Sequence, residues 1–406
     1  MKSATKWILS GLAVLVAIPG IALSDSVTEI LRTAALKNGI RPAAQLFDDT
    51  DAALAAVGKQ FFESKNVSLN GRMACRTCHL DQFGSADGLP NAIGIFGEGE
   101  GPKRALSEGR IVPRNTLPLW GRGALGFNTF FWDGKVDFSD GKKISQFGAA
   151  APSDDALITA VHLPPAEIRE MLNDDVEVSR YKRESPEKAT EFYNQITEKL
   201  LKTERMAMEE LARRMNKPVN GVTFYDVARS IAAFIRSEFR LKDTKFQQFI
   251  FGKATLTPDE LKGGLIFYGK GKCVNCHNGP YFSDLKFHAV PFPQLGFGKN
   301  GFGIDYGRFN VTFRGEDLYR FRTPPLFNVQ TTTPYGHAGS IADLRDAIIA
   351  HFDPLRNIDP KSMDGLERHE FFKRMAAAGE VFKMVSILND HEVIQVESFL
   401  KALSFE

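Results

Sequence analysis

The sequence predicts a mainly α-helical protein of two related halves, with long irregular loops and little β structure. Three observations carry that expectation. Segments with apolar residues at helical spacing, several opened by a capping residue, recur along the chain. Between them lie Gly- and Pro-rich stretches, 80–131 and 278–342, in which no period persists. One five-residue pattern also occurs twice, as Cys75-Arg76-Thr77-Cys78-His79 and Cys273-Val274-Asn275-Cys276-His277. Before each copy stands a helical segment with glycine and, four residues on, an aromatic: Gly58 to Phe62, and more loosely Gly264 to Tyr268.

Length and charge set the bounds. A chain of 406 residues suggests two or three domains at ~150 residues each. We read residues 1–24 as a signal peptide, 25–240 as one domain and 241–406 as a second, with the last helix able to pack back on the first. The net charge of +2 and the lack of a long basic run point away from nucleic acid and from an anionic membrane surface. Lys2 and Lys6 precede an apolar stretch, Trp7 to Leu23, broken by Gly11, Pro19 and Gly20. Ala22-Leu23-Ser24 offers the small residues of a cleavage site, so Asp25 would begin the mature chain. The competing reading, a retained anchor, needs a longer apolar core. No later segment is apolar enough to span a membrane.

Taken in order, Val27–Ala35 and Asp51–Phe62 read as helices, the second capped from 49–51. After the first irregular stretch, Ala156–His162 is helical, and Pro164-Pro165 is a start for a helix holding Ile168 and Met171. Ser185-Pro186 opens a long charged helix over Glu187–Met215. Val222–Phe239 is apolar at helical spacing and predicted to be buried. Thr257-Pro258-Asp259-Glu260 opens the helix that leads to the second cysteine pattern. Ser340–Phe352 and Ser386–Leu403 complete the set.

Two cysteines three positions apart with histidine following are the attachment pattern of a c-type haem. The thiols join the haem vinyl groups and the imidazole becomes an axial ligand. The two copies use all four cysteines. A zinc ribbon needs its second cysteine pair some 15–20 residues away, and a redox cysteine pair needs no histidine after it. The chain is therefore expected to form two c-type cytochrome-like haem domains carrying two covalently bound haem c. His79 and His277 are the iron ligands. Such haems are attached outside the cytoplasm, in bacteria in the periplasm, consistent with the leader. The 33 phenylalanines against 8 tyrosines suit apolar haem walls.

Function turns on the opposite face of each iron, since two strong ligands suit electron transfer and an open face suits peroxide. From Leu80 to Val161 there is neither His nor Met, so the first haem lacks a local sixth ligand. The alternative is a ligand from elsewhere: His162, His288 or His337. For the second haem His351 stands on an expected amphipathic helix, although helix histidines are more often core residues. His288 is nearer in sequence.

Several ordered motifs resemble the di-haem bacterial cytochrome c peroxidase / MauG family. They are Gly58-Lys59-Gln60-Phe61-Phe62, Arg114-Asn115-Thr116, Phe131-Trp132-Asp133-Gly134, Gly264 to His277, Arg322-Thr323-Pro324-Pro325-Leu326, Pro334-Tyr335-x-His337-x-Gly339 and His351-Phe352-Asp353-Pro354. The resemblance covers almost the whole mature chain. It implies a peroxidatic N-terminal haem and an electron-transfer C-terminal haem. It places His351 where the family caps the second iron with Met or, in MauG, Tyr, and a nitrogen ligand should lower the potential relative to His/Met. It implies that Trp132 relays electrons between haems, with Trp120 as competitor. It points to Glu170, then Glu167, as the distal acid that moves the peroxide protons, with Gln146 adding a hydrogen bond. It implies one Ca²⁺ bound by Asn115, Thr323 and Pro325, since carbonyl oxygens suit a hard cation.

The resemblance implies an H₂O₂-dependent oxidoreductase whose first haem is open without prior reduction. In the MauG-like or MbnH-like branch, the oxidising equivalents are drawn from a residue of a periplasmic partner protein. The alternatives are a conventional cytochrome c peroxidase fed by a small c-type cytochrome or cupredoxin, and a non-enzymatic di-haem electron carrier.

Overall fold

The computed structural model describes residues 20–173 and 186–405. Helices α1 (Gly20–Lys37), α2 (Ala52–Glu63), α3 (Ala156–His162), α4 (Pro186–Thr203), α5 (Arg205–Arg214) and α6 (Phe224–Glu238) precede the second half. There follow α7 (Lys245–Phe251), α8 (Pro258–Tyr268), α9 (Phe309–Thr312), α10 (Leu344–Ile349), α11 (Gly365–Ala377), α12 (Gly379–Met384) and α13 (Asp390–Lys401). Each strand among the described residues is only two residues long, and they form three pairs and one three-stranded sheet, so the chain is mainly α, as expected. Helix starts follow capping chemistry: Asp51, Asp155, Thr257 and Asn389 each accept from backbone N–H groups of the first turn.

The two halves repeat one packing unit. In the first, α2 lies on α6, and a Cβ at Gly58 would sit 1.8 Å from the Ser230 carbonyl oxygen. In the second, α8 lies on α13, and a Cβ at Gly263 would sit 1.9 Å from the Gln395 carbonyl oxygen. Only glycine admits such close helix crossings. The true counterpart of Gly58-x-x-x-Phe62 is therefore Gly263-x-x-x-Phe267, one residue earlier than the sequence suggested. Phe62 and Phe267 each reach a haem cavity from this helix.

Several expectations change. The leader up to residue 19 and the Ser185 cap lie outside the described residues; α1 begins at Gly20 and runs across the expected cleavage point. This helix packs on α8, with Leu31 against Gly264 and Arg32 donating to the Ile250 carbonyl, 3.2 Å. The first segment thus adds to the second half. The last helix stays on α8, and it is the tail that returns, with Phe405 4.8 Å from Trp120 in edge contact. The long helix 187–215 breaks at Glu204, whose carboxylate is drawn to Ser64 and Asn66. Over the described residues 164–173 no helix follows Pro164-Pro165: one tight turn, Pro164–Ala166, gives way to Arg169 at φ 72°, and Ile95 N–H donates to the Arg169 carbonyl at 3.0 Å. Helix α10 spans only Leu344–Ile349, and His351 lies in the turn beyond it. No described helix is long and apolar enough to cross a membrane.

Candidate active site

Two cavities hold the two cysteine motifs. The larger, about 1360 Å³, is lined by Phe62, Cys75, Cys78 and His79. The smaller, about 180 Å³, is lined by Phe267, Cys273, Cys276, His277 and His351. None of the four cysteines is tied up in a disulfide, so all four can form thioether bonds to haem. Helices α2 and α8 deliver the motifs, and a short helical turn over each cysteine pair brings both sulfurs to one side.

The histidines are set up as metal ligands. His79 Nδ1 meets the Ser85 carbonyl at 2.8 Å, His277 Nδ1 the Phe282 carbonyl at 2.9 Å and His351 Nδ1 the Ala347 carbonyl at 2.8 Å. A carbonyl only accepts, so each Nδ1 carries the proton and leaves the Nε2 lone pair for a metal. Burial lowers all three pKa values, to about 4 for His79 and His277, which keeps the rings neutral. The ring centres of His277 and His351 are 6.3 Å apart. Two imidazoles on opposite sides of one metal, each bonded at about 2 Å, span roughly that distance. The donor set therefore fits haem in both cavities, with His351 facing His277 across the second.

The larger cavity has no such cap. Among its described lining residues His79 is the sole histidine and there is no methionine. The three alternative ligands are committed elsewhere. His162 is buried among Phe147, Tyr193 and Phe224; His337 stacks on Phe321 at 3.8 Å; His288 pairs with Asp284 at 2.8 Å. The last two face the smaller cavity.

Glu167 and Glu170 both line the larger cavity. Glu167 lies 3.3 Å from Lys135 Nζ, an ion pair that holds it. Burial pushes Glu170 up to about 7, against the pull of Lys135 and Lys299 and with the push of Glu167. The left-handed turn at Arg169 presents Glu170, which a continuing helix would have carried away. Gln146 follows the strand Ile144–Ser145 and is not among the residues lining this cavity.

Trp132 lines both cavities. It sits in the tight hairpin loop between strands Thr129–Phe130 and Val136–Asp137. Its Nε1 donates to the Asn115 carbonyl, 2.8 Å, and its own carbonyl accepts from Arg322 N, 2.8 Å. Phe131 before it adopts φ 65°, costly for a bulky residue, and aims the indole. Trp120 instead packs against Phe239 and Phe405 and reaches neither cavity.

Two of the three residues expected to hold calcium, Asn115 and Thr323, take part in hydrogen bonds within the chain. The Asn115 amide nitrogen donates to the Pro334 and Gly336 carbonyls, at 2.6 and 3.4 Å. The Thr323 carbonyl accepts from Ser283 Oγ, 2.7 Å, and from the buried Arg322 guanidinium, 3.3 Å. A guanidinium beside that oxygen opposes a cation there. Pro325 lines neither cavity.

Sequence reasoning missed the charged frame around Trp132. Arg114 bridges Asp133, 2.6 Å, and Asp305, 2.8 Å, all three nearly buried. Arg308 pairs with Asp137, 2.8 Å. Asp133 and Lys135 flank the Trp132 motif, so adjacency was a signal; Lys299 and Asp305 lie in an irregular loop that offered none.

Two cysteine-lined cavities, one with no second His or Met among its described lining residues and one with two facing imidazoles, share Trp132 as a wall, which is an arrangement suited to a di-haem redox protein. Residues 52–255 match the family model for di-haem cytochrome c peroxidase. The chain belongs to that family and is a di-haem peroxidase, which implies two haem c. It is 26% identical over 319 residues to cytochrome-c peroxidase IdrP1 of Pseudomonas sp. strain SCT, covering 72% of this chain and 70% of that protein. It is 26% identical over 302 residues to methylamine utilization protein MauG of Methylorubrum extorquens, covering 73% and 67%. The crystal structure of a MauG-like protein associated with microbial copper homeostasis superposes with a TM-score of 0.64 at 20% identity, over 91% of this chain and 93% of that one.

Proposed function

We propose that this chain is a periplasmic, MauG-type oxidase that uses H₂O₂ at the N-terminal haem to oxidise a residue of a partner protein. The observation that carries the reading is the larger cavity, which pairs His79 with a protonatable Glu170 and offers no second His or Met among its described lining residues. The haem supplies two-electron reduction of peroxide when bound. Glu170, ionised, takes the proton of the incoming peroxide and returns it to the departing oxygen, which leaves as one water; the other oxygen is released as water only after the partner residue has given up two electrons and two protons. Lys135 holds Glu167 in an ion pair, leaving Glu170 as the group that moves protons. Trp132, in van der Waals reach of both cavities, carries the second equivalent toward the His277/His351 site. Export follows the haem chemistry and the leader read in residues 1–24.

Stoichiometric H₂O₂ added to the fully oxidised protein tests this. The Soret and near-infrared bands should change at once, without prior reduction. A slow or absent response, with fast turnover once a reduced small cytochrome is supplied, would instead establish a conventional cytochrome c peroxidase.

A further inference from the structure

Buried arginines around the two cavities differ in whether an acid faces them. Arg114 and Arg308 face carboxylates. Arg122 and Arg322 are 4% and 1% exposed and form no ion pair among the described residues. Arg122 Nε donates to the Pro118 carbonyl, 3.0 Å, and its Nη1 has no partner. Arg322 Nε donates to the Phe131 carbonyl, 3.1 Å, and Nη1 to that of Thr323, while Nη2 has none. Both guanidinium groups lie over the Phe127 ring, at 4.5 and 5.6 Å. Arg122 lines the His79 cavity and Arg322 the His277 cavity.

A buried cation without a counter-charge is strongly unfavourable, and a second beside it adds repulsion. Burial is the main cause that drives both below the usual arginine range, Arg322 to about 9, and Arg322 further lowers Arg122. Among the described residues no carboxylate pairs with either guanidinium, and what fills the cavities can bring the anion. Haem carries two propionate carboxylates on the edge away from its thioether bonds. A planar guanidinium with free N–H groups matches a carboxylate in charge and shape.

We propose that Arg122 and Arg322 bind haem propionates, Arg122 in the His79 cavity and Arg322 in the His277 cavity, so that both haems meet at one basic patch beside Phe127. The proposal rests on haem filling both cavities and not on the fate of the oxidising equivalents, so its test uses no peroxide. An arginine offsets propionate charge. Its loss favours the ferric iron and lowers that haem's midpoint potential.

The experiment is spectroelectrochemical titration and resonance Raman spectroscopy of the holoprotein carrying Arg122→Gln or Arg322→Gln. R322Q should lower the potential of the low-spin haem more than that of the other and move its propionate bending band; R122Q should do the reverse. The Lys variants should restore the potential better than the band, because lysine supplies charge without the bidentate fork. Unchanged potentials and bands in variants with both haems attached would overturn the assignment. Should the variants fail to load haem, the wild-type protein decides. A propionate held by Arg322 stays ionised, so the low-spin potential should be flat through the carboxylate range, roughly pH 4–5. An inflection there would also overturn it.

Discussion

Glu170 and Glu167 stand three positions apart in one cavity, and their surroundings give them different tasks. Glu167 has an ammonium partner; Glu170 is pushed up to about 7, first by burial. Glu170→Gln should slow the peroxide reaction by roughly 10²–10⁴-fold, as loss of a general acid–base does, with both haems still attached. Stopped-flow mixing with H₂O₂ measures it, and an unchanged rate would remove Glu170 from the mechanism. In the unaltered protein that rate should rise with pH through about 7, as the carboxylate becomes able to accept a proton, and the limb should vanish in the variant. Stability carries the opposite sign. A carboxyl whose folded pKa is raised from 4.5 contributes fully below that value, and its contribution is lost as pH rises through about 7. His351→Met should keep a low-spin second haem while raising its midpoint potential, since thioether stabilises ferric iron less than imidazole. Redox titration reads the shift, and an unaltered potential would argue that His351 is not the ligand.

At the scale of elements, the helix crossings position the chemistry. Helices α2 and α8 touch their partners through Gly58 and Gly263, which brings Phe62 and Phe267 to the haem walls. Gly58→Ala places a methyl group against the Ser230 carbonyl and must spread α2 from α6. We expect a loss of about 1–3 kcal/mol, read by denaturant unfolding of the holoprotein, with a shifted His79 haem spectrum. The capped helices were legible because Asp51, Asp155 and Thr257 mark their starts in local chemistry. The segment after Pro164-Pro165 was not. Its two prolines satisfy the rule for a helix start, yet a hydrogen bond from the distant Ile95 holds Arg169 in a left-handed turn. That turn is what presents Glu170.

At the scale of the molecule, Trp132 and its charged frame join the halves. Trp132→Phe should leave peroxide consumption at the first haem but suppress the accompanying change in the bands of the His277/His351 haem. Equal responses of both haems would make Trp132 a wall residue only. Arg114 ties Asp133 of the Trp132 loop to Asp305 of the second irregular stretch. Burial works to raise both acids, but Arg114 holds them below the carboxylate range. Asp305→Asn should therefore cost about 3 kcal/mol at neutral pH in equilibrium unfolding. The cost should shrink in acid, because a depressed carboxyl contributes above its unfolded pKa of about 4 and loses that contribution as pH falls through the folded value.

The sequence by itself determined what is covalent or local. Cys75 to His79 and Cys273 to His277 name both haem sites, because attachment needs only residues within one turn of chain. The absence of His and Met from Leu80 to Val161 already pointed to a first site without a local sixth ligand. Tertiary structure alone decided which distant groups face those sites. It brought His351 opposite His277 from a turn rather than from a helix, and placed Trp132, not Trp120, between the cavities. It also left Gln146 outside the larger cavity and set a guanidinium against the expected calcium carbonyl. These outcomes depend on contacts between residues far apart in the chain, whose geometry is fixed by packing and buried charge rather than by local spacing.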